Sequence, residues 1–138
     1  TREIGMKNTI VQRRMHDYEK VLVGIDNRTT AGDMDQILHA ILQERHLPSE
    51  YHEAMLEIMA KQQINTAIPL YLSPKLKIAH KTGSILDFGL EHDVGIIYDE
   101  KDIPAVAISI LTKGLGDNRV VMGKIAKMAF DEIKQRYS

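Results

Sequence analysis

LKIAHKT (76–82), HDVGIIY (92–98) and IPAVAISIL (103–111) are the three stretches that decide the fold. The first alternates around Ile78, the second is short and β-branched, and the third is apolar on both faces, as a strand covered on both sides should be. DEKD (99–102) is a polar turn that joins the second and third strands into an antiparallel hairpin. Downstream, GLGD (114–117) breaks the chain before a last helix whose Val121, Ile125, Met128, Ala129 and Ile133 are predicted to be its buried stripe. Upstream, AIPLYLSP (67–74) holds two prolines and reads as an extended, irregular crossing. Before it, Thr30 and Asp33 have the form of a capping box, and Met34, Ile37, Leu38, Ile41 and Leu42 recur behind them at helical spacing. That helix ends before Pro48. Ser49 is placed to cap a second helix, closing near Gln63, with Met55, Ile58 and Met59 on one face and Glu50 and Glu53 near its positive end. Two helices, three strands and a helix predict an α/β chain of the α+β sandwich kind, with helices packed on an antiparallel sheet.

The chain has 138 residues, 43% of them hydrophobic, which suits one domain with one core. Its formal net charge is -1 and no basic run is present, so a nucleic-acid partner is not expected. Without cysteine there is neither a disulfide framework nor a thiolate zinc site, and no metal or organic cofactor is implied. No apolar run reaches the roughly 20 residues of a membrane span. The opening TREIGMKNTI has no initiator Met and no signal-peptide core, and reads as though cut from something longer. The seven methionines fall mainly on helical stripes and read as core filler.

The chemistry concentrates in HKTGS (80–84). On a sheet edge, an extended ligand can pair with the backbone as an added strand. Lys81 offers a point charge and three donors to a carboxylate, and Thr82 adds a hydroxyl beside it. Gly83 lets the ligand's backbone approach, and the Ser84 amide N–H can point at a developing oxyanion.

LKIAHKTGS, the hairpin behind it and the C-terminal amphipathic helix together resemble the carboxy-terminal part of class A β-lactamases and related penicillin-recognising serine hydrolases. The resemblance implies that Lys81, Thr82 and Gly83 bind the substrate carboxylate and that Ser84 supplies a backbone oxyanion donor. IGMKNTIVQRRMHDYEK (4–20) is similar to the family's helix-to-Ω-loop segment, with Gly5, Thr9 and Arg14 in the expected places. Glu19 then falls where the family keeps the general base that activates water for deacylation, and RTTAGDM (28–34) resembles the start of the helix after that loop. The implied partner is a β-lactam or an acyl-D-Ala-D-Ala-like substrate, and the implied location is secreted or extracytoplasmic.

The chain also departs from the family pattern. Lys20 stands where a Pro usually follows the glutamate, and Val23 where an Asn helps hold the water. Asp17 and Arg28 occupy roughly the places of the usual Arg and Asp of the loop neck, which predicts a salt bridge with the charges exchanged. No arginine occurs in ILDFGLEHD (85–93) or in DVGIIY (93–98), leaving carboxylate binding to Lys81 and Thr82. His80 and His92 read as solvated strand histidines without a role. No serine is followed three positions on by lysine, and Ser-Asp-Asn does not occur, so the nucleophile is expected in an amino-terminal half that this chain lacks. The expected activity is that of a serine hydrolase working through an acyl-serine, with this chain alone inactive. The alternatives are a slow-deacylating D,D-peptidase or esterase and a non-catalytic ligand-binding module.

Overall fold

Thr30 ends an extended segment and opens a helix, its hydroxyl accepting the Asp33 amide at 3.1 Å. The computed structural model that shows this describes residues 2–114, 116 and 118–137. Its helices are α1 (Tyr18–Leu22), α2 (Ala31–Leu42), α3 (Ser49–Ala60) and α4 (Asn118–Tyr137). Its strands are β1 (Ile78–Ile85), β2 (Leu90–Tyr98) and β3 (Pro104–Lys113). Short 3₁₀ turns at Ile68–Tyr71 and Leu86–Phe88 complete it. The strands form an antiparallel sheet in the order β1-β2-β3, and Asp99 closes the second hairpin by accepting the amides of Lys101 and Ile103 on its carboxylate.

Strand alternation divides the core into two layers. Ala79, Ile96 and Tyr98 pack with Leu38 of α2 on one face, joined by Leu56 and Met59 of α3. Ile97 and Ile110 pack on the other face with Ile68, Met122, Ala126 and Phe130, which brings in α4 and the first 3₁₀ turn. Ile96 and Ile97 are neighbours on β2, and each is fully buried on its own side. The predicted sandwich is therefore present: helices cover both faces of a three-stranded sheet whose middle strand is the most enclosed. Each fully buried isoleucine contributes about 1.5–3 kcal/mol relative to exposure.

Several local expectations need correction. The buried face of α4 is Met122, Gly123, Ala126 and Phe130, whereas Val121, Ile125 and Met128 are 51%, 43% and 71% exposed. Gly123 explains the register: a Cβ there would lie 3.0 Å from the Ala67 carbonyl oxygen, so the glycine lets α4 approach the 3₁₀ turn. That turn replaces the extended crossing expected over AIPLYLSP. Pro48 is the residue before α3; the Ser49 hydroxyl reaches back to Glu44 at 2.5 Å and does not cap the helix. Ile58 points outward, and His52 is the buried residue of α3. β3 is mostly half-buried, and among the described residues its outer edge has no neighbour. Within the predicted break at 114–117, Leu115 and Asp117 lie outside the described residues.

Candidate functional site

β1 is an edge strand, so the backbone of HKTGS lines an open side of the sheet. Lys81 and Gly83 share the face of Ala79, toward α2 and α3, while Thr82 and Ser84 share the face of His80, toward α4. Lys81, Gly83 and Ser84 are exposed and Thr82 is half-buried. The Lys81 ammonium folds onto the carbonyl of Thr82, which keeps its charge against the middle of β1. Three of the four predicted cradle residues, Thr82, Gly83 and Ser84, line one small cavity together with Thr66, Glu91 and Arg119.

Arg119 is a lining residue of this cavity that the sequence did not disclose. It sits in the first turn of α4, where its Nε donates to Glu91 Oε1 at 2.5 Å and its Nη1 to Thr66 Oγ1 at 3.4 Å. Glu91 is the cross-strand partner of Ser84, so the ion pair fixes the guanidinium at the rim of the cradle. Within that cavity the Arg119 cation is paired with the Glu91 carboxylate, while Lys81 lies on the other face of β1. No local pattern marks an arginine so far downstream; only the return of α4 across the sheet brings it in.

Beneath the cradle lies a polar network. His80 is 1% exposed and Asp93 not at all, which corrects the reading of His80 as a solvated strand histidine. His80 Nδ1 contacts the two Asp93 carboxylate oxygens at 3.0 and 3.1 Å, and its Nε2 lies 3.1 Å from Asn65 Oδ1. Asp93 also accepts the amide of Ile68 at 3.0 Å. His92, paired with Gly83, is half-buried.

Glu19 belongs to a separate structure, a loop whose two ends are joined at Ile10 and Arg28 by reciprocal backbone hydrogen bonds of 2.9 and 3.0 Å. Asn27 Oδ1 accepts the amides of Gln12 and Arg13, and its Nδ2 donates to the Arg13 carbonyl. Arg13 Nε pairs with Asp26 at 2.7 Å, its side chain only 7% exposed. That hydrogen bond holds the Asp26 carboxyl below its ordinary value of 3.8. Behind the neck, Asp33 accepts the Thr9 hydroxyl at 2.7 Å and the Asn8 amide at 2.8 Å; the Thr9 bond is the main reason its carboxyl is also lowered. The expected bridge between Asp17 and Arg28 is therefore replaced. Asp17 pairs with Lys20 at 3.5 Å, while Arg13 and Asp26 close the neck in the ordinary order, Arg first. Glu19 stands exposed on α1, and no described contact joins it to the cradle.

The chain can be compared with known proteins. The profile of the β-lactamase enzyme family matches residues 1–133. Among solved structures, a β-lactamase from Sphaerobacter thermophilus is 25% identical, with a TM-score of 0.79, and the match covers 97% of this chain and 50% of that one. A β-lactamase from Chitinophaga pinensis is 19% identical with a TM-score of 0.80, covering 95% and 52%. A mutant of PBP-A, solved as an acyl-enzyme complex with penicillin G, is 21% identical with a TM-score of 0.78, covering 97% and 49%. The chain thus spans about half the length of these solved relatives. No curated protein sequence matches it.

Proposed function

The chain belongs to the β-lactamase enzyme family, and on that premise we propose that it is the carboxylate- and oxyanion-binding half of a β-lactamase-type serine hydrolase. The observation that carries this reading is the edge position of Lys81-Thr82-Gly83-Ser84, the last three of which line one cavity with the Arg119 guanidinium. A β-lactam, or a peptide ending like acyl-D-Ala-D-Ala, lies along β1 as an added strand. Its carboxylate meets the Lys81 ammonium and the Thr82 hydroxyl, with Arg119 as a further charge. Its acyl carbonyl meets the Ser84 amide N–H, which stabilises negative charge as the tetrahedral intermediate forms. The nucleophilic serine comes from an amino-terminal half of the same domain. It attacks the acyl carbon, the C–N bond breaks and the serine proton passes to the nitrogen, which departs as an amine from a peptide or stays tethered in the opened β-lactam ring; water then cleaves the ester, with Glu19 as the base that takes the water's proton. This path uses no metal or organic cofactor.

The same partner half accounts for the surface of this chain. Met15, Leu22 and Val23 on the loop are 78%, 84% and 73% exposed, and the outer edge of β3 has no neighbour among the described residues. Such a hydrolase, acting on β-lactams or wall-like peptides, belongs outside the cytoplasm; among the described residues no helix is long and apolar enough to cross a membrane.

Time-resolved mass spectrometry of the intact protein mixed with a chromogenic β-lactam tests the proposal. A transient covalent adduct with continuous product release is the expected result, and the absence of any adduct from folded protein would leave a non-catalytic binding module. One observation favours a second reading, a slow-deacylating D,D-peptidase or esterase: Lys20 and Val23 follow an exposed Glu19 that has no hydrogen-bonded partner described, so water is held less firmly there. A persistent adduct would decide for it.

A further inference from the structure

His80 and Asp93 raise an energetic question that the reaction above leaves unanswered. A buried carboxylate costs several kcal/mol unless its oxygens are satisfied, and a buried ion or hydrogen-bonded pair seldom stabilises more than apolar residues of the same size. Here a 1% exposed imidazole and a fully enclosed carboxylate sit on the face of the sheet that is otherwise filled by Ile97, Ile110 and Met122. A second cost accompanies them. Gly95 is the cross-strand partner of His80, and a Cβ on it would lie 2.5 Å from the His80 Cβ and 2.7 Å from the Ala79 carbonyl oxygen. A glycine in the middle of the central strand weakens that strand, and it leaves room for His80.

The network does one thing that apolar packing would not. It joins three backbone segments at fixed distances: the loop through Asn65 Oδ1 and the Ile68 amide, β2 through Asp93, and β1 through His80. His80 directly precedes Lys81, and Asp93 is the register partner of Thr82. The polar knot is therefore tied at the two positions that flank and face the cradle.

We propose that His80 and Asp93 are positioning residues, which set the height and direction of the Lys81-Thr82 segment so that it meets a ligand carboxylate. The inference rests on the functional reading above, and its test separates the two. The intact protein is assayed with a β-lactam bearing its free carboxylate and with the methyl ester of the same compound, as wild type, Asp93→Asn, His80→Gln and Asn65→Ala. Wild type prefers the acid. Asp93→Asn and His80→Gln lower kcat/KM for the acid by about 10- to 100-fold, chiefly through KM, and leave the ester nearly unchanged. Asn65→Ala removes only the outer bond of an exposed side chain, folds without difficulty and shows a smaller loss in the same direction, which keeps the test open if a buried variant does not fold.

Variants that lose acid and ester equally would overturn the inference while leaving the cradle intact. Equal wild-type rates on acid and ester would overturn the carboxylate cradle itself, and the inference with it.

Discussion

β1 and the loop between Ile10 and Arg28 are held in opposite ways. The strand carries its reactive-looking residues on a backbone fixed by β2 along its whole length and by a buried polar knot beneath. The loop carries Glu19 on five residues of helix with nothing buried, and it is closed by hydrogen bonds at its neck. The edge proposed to bind ligand is preorganised, whereas the position of Glu19 depends on how the neck is tied and on what covers the exposed side chains of the loop.

That contrast can be broken from either side. The largest effect is expected in the core that supports the strand: Ile97→Ala removes a fully buried side chain and should destabilise the protein by about 3 kcal/mol in denaturant unfolding. A loss below about 1 kcal/mol would mean that the layer under α4 does not carry the sheet. Next, Lys81→Ala should cost about 2 kcal/mol of binding for a carboxylated substrate, read as a rise in KM with an unchanged unfolding midpoint. A smaller effect belongs to the neck. Arg13→Ala should raise hydrogen exchange and proteolysis between Ile10 and Arg28 at a global cost of about 1 kcal/mol, leaving exchange in β1 and β2 unaltered.

The mildest probe is pH. Asp26 and Asp33 both have carboxyl values lowered in the folded chain, so the stability they contribute is complete above their ordinary value of 3.8. It is lost as pH falls through the lower folded-state values. Amide signals of the neck, at Asn8, Gln12 and Arg13, should therefore broaden or shift below about pH 4, before those of Ile96 and Ile97. Simultaneous loss of both sets would show that the loop and the sheet unfold as one unit.

The sequence disclosed those parts of the fold where one local rule acts alone. Alternation and DEKD gave the hairpin, and Thr30 with Asp33 gave the start of α2 within a residue. It misled where two patterns coexist. α4 carries apolar residues on adjacent stripes, and periodicity cannot choose between Val121, Ile125 and Met128 and the stripe of Met122, Ala126 and Phe130; the choice is made by Gly123 against the Ala67 carbonyl. Likewise Arg13 and Arg14, or Asp17 and Asp26, offer several ways to close the loop, and burial of the Arg13 side chain decides among them. In the candidate site, Lys81 to Ser84 are a contiguous motif, which a sequence can single out on its own. Arg119 and the enclosure of His80 were not legible, since both depend on which elements meet across the sheet.

The most direct test of the central claim is a crystal structure of the intact protein trapped with a β-lactam. The account predicts the ligand carboxylate within hydrogen-bond distance of the Lys81 ammonium and the Thr82 hydroxyl, with the acyl oxygen on the Ser84 amide. A bound ligand whose carboxylate lies away from β1 would contradict it.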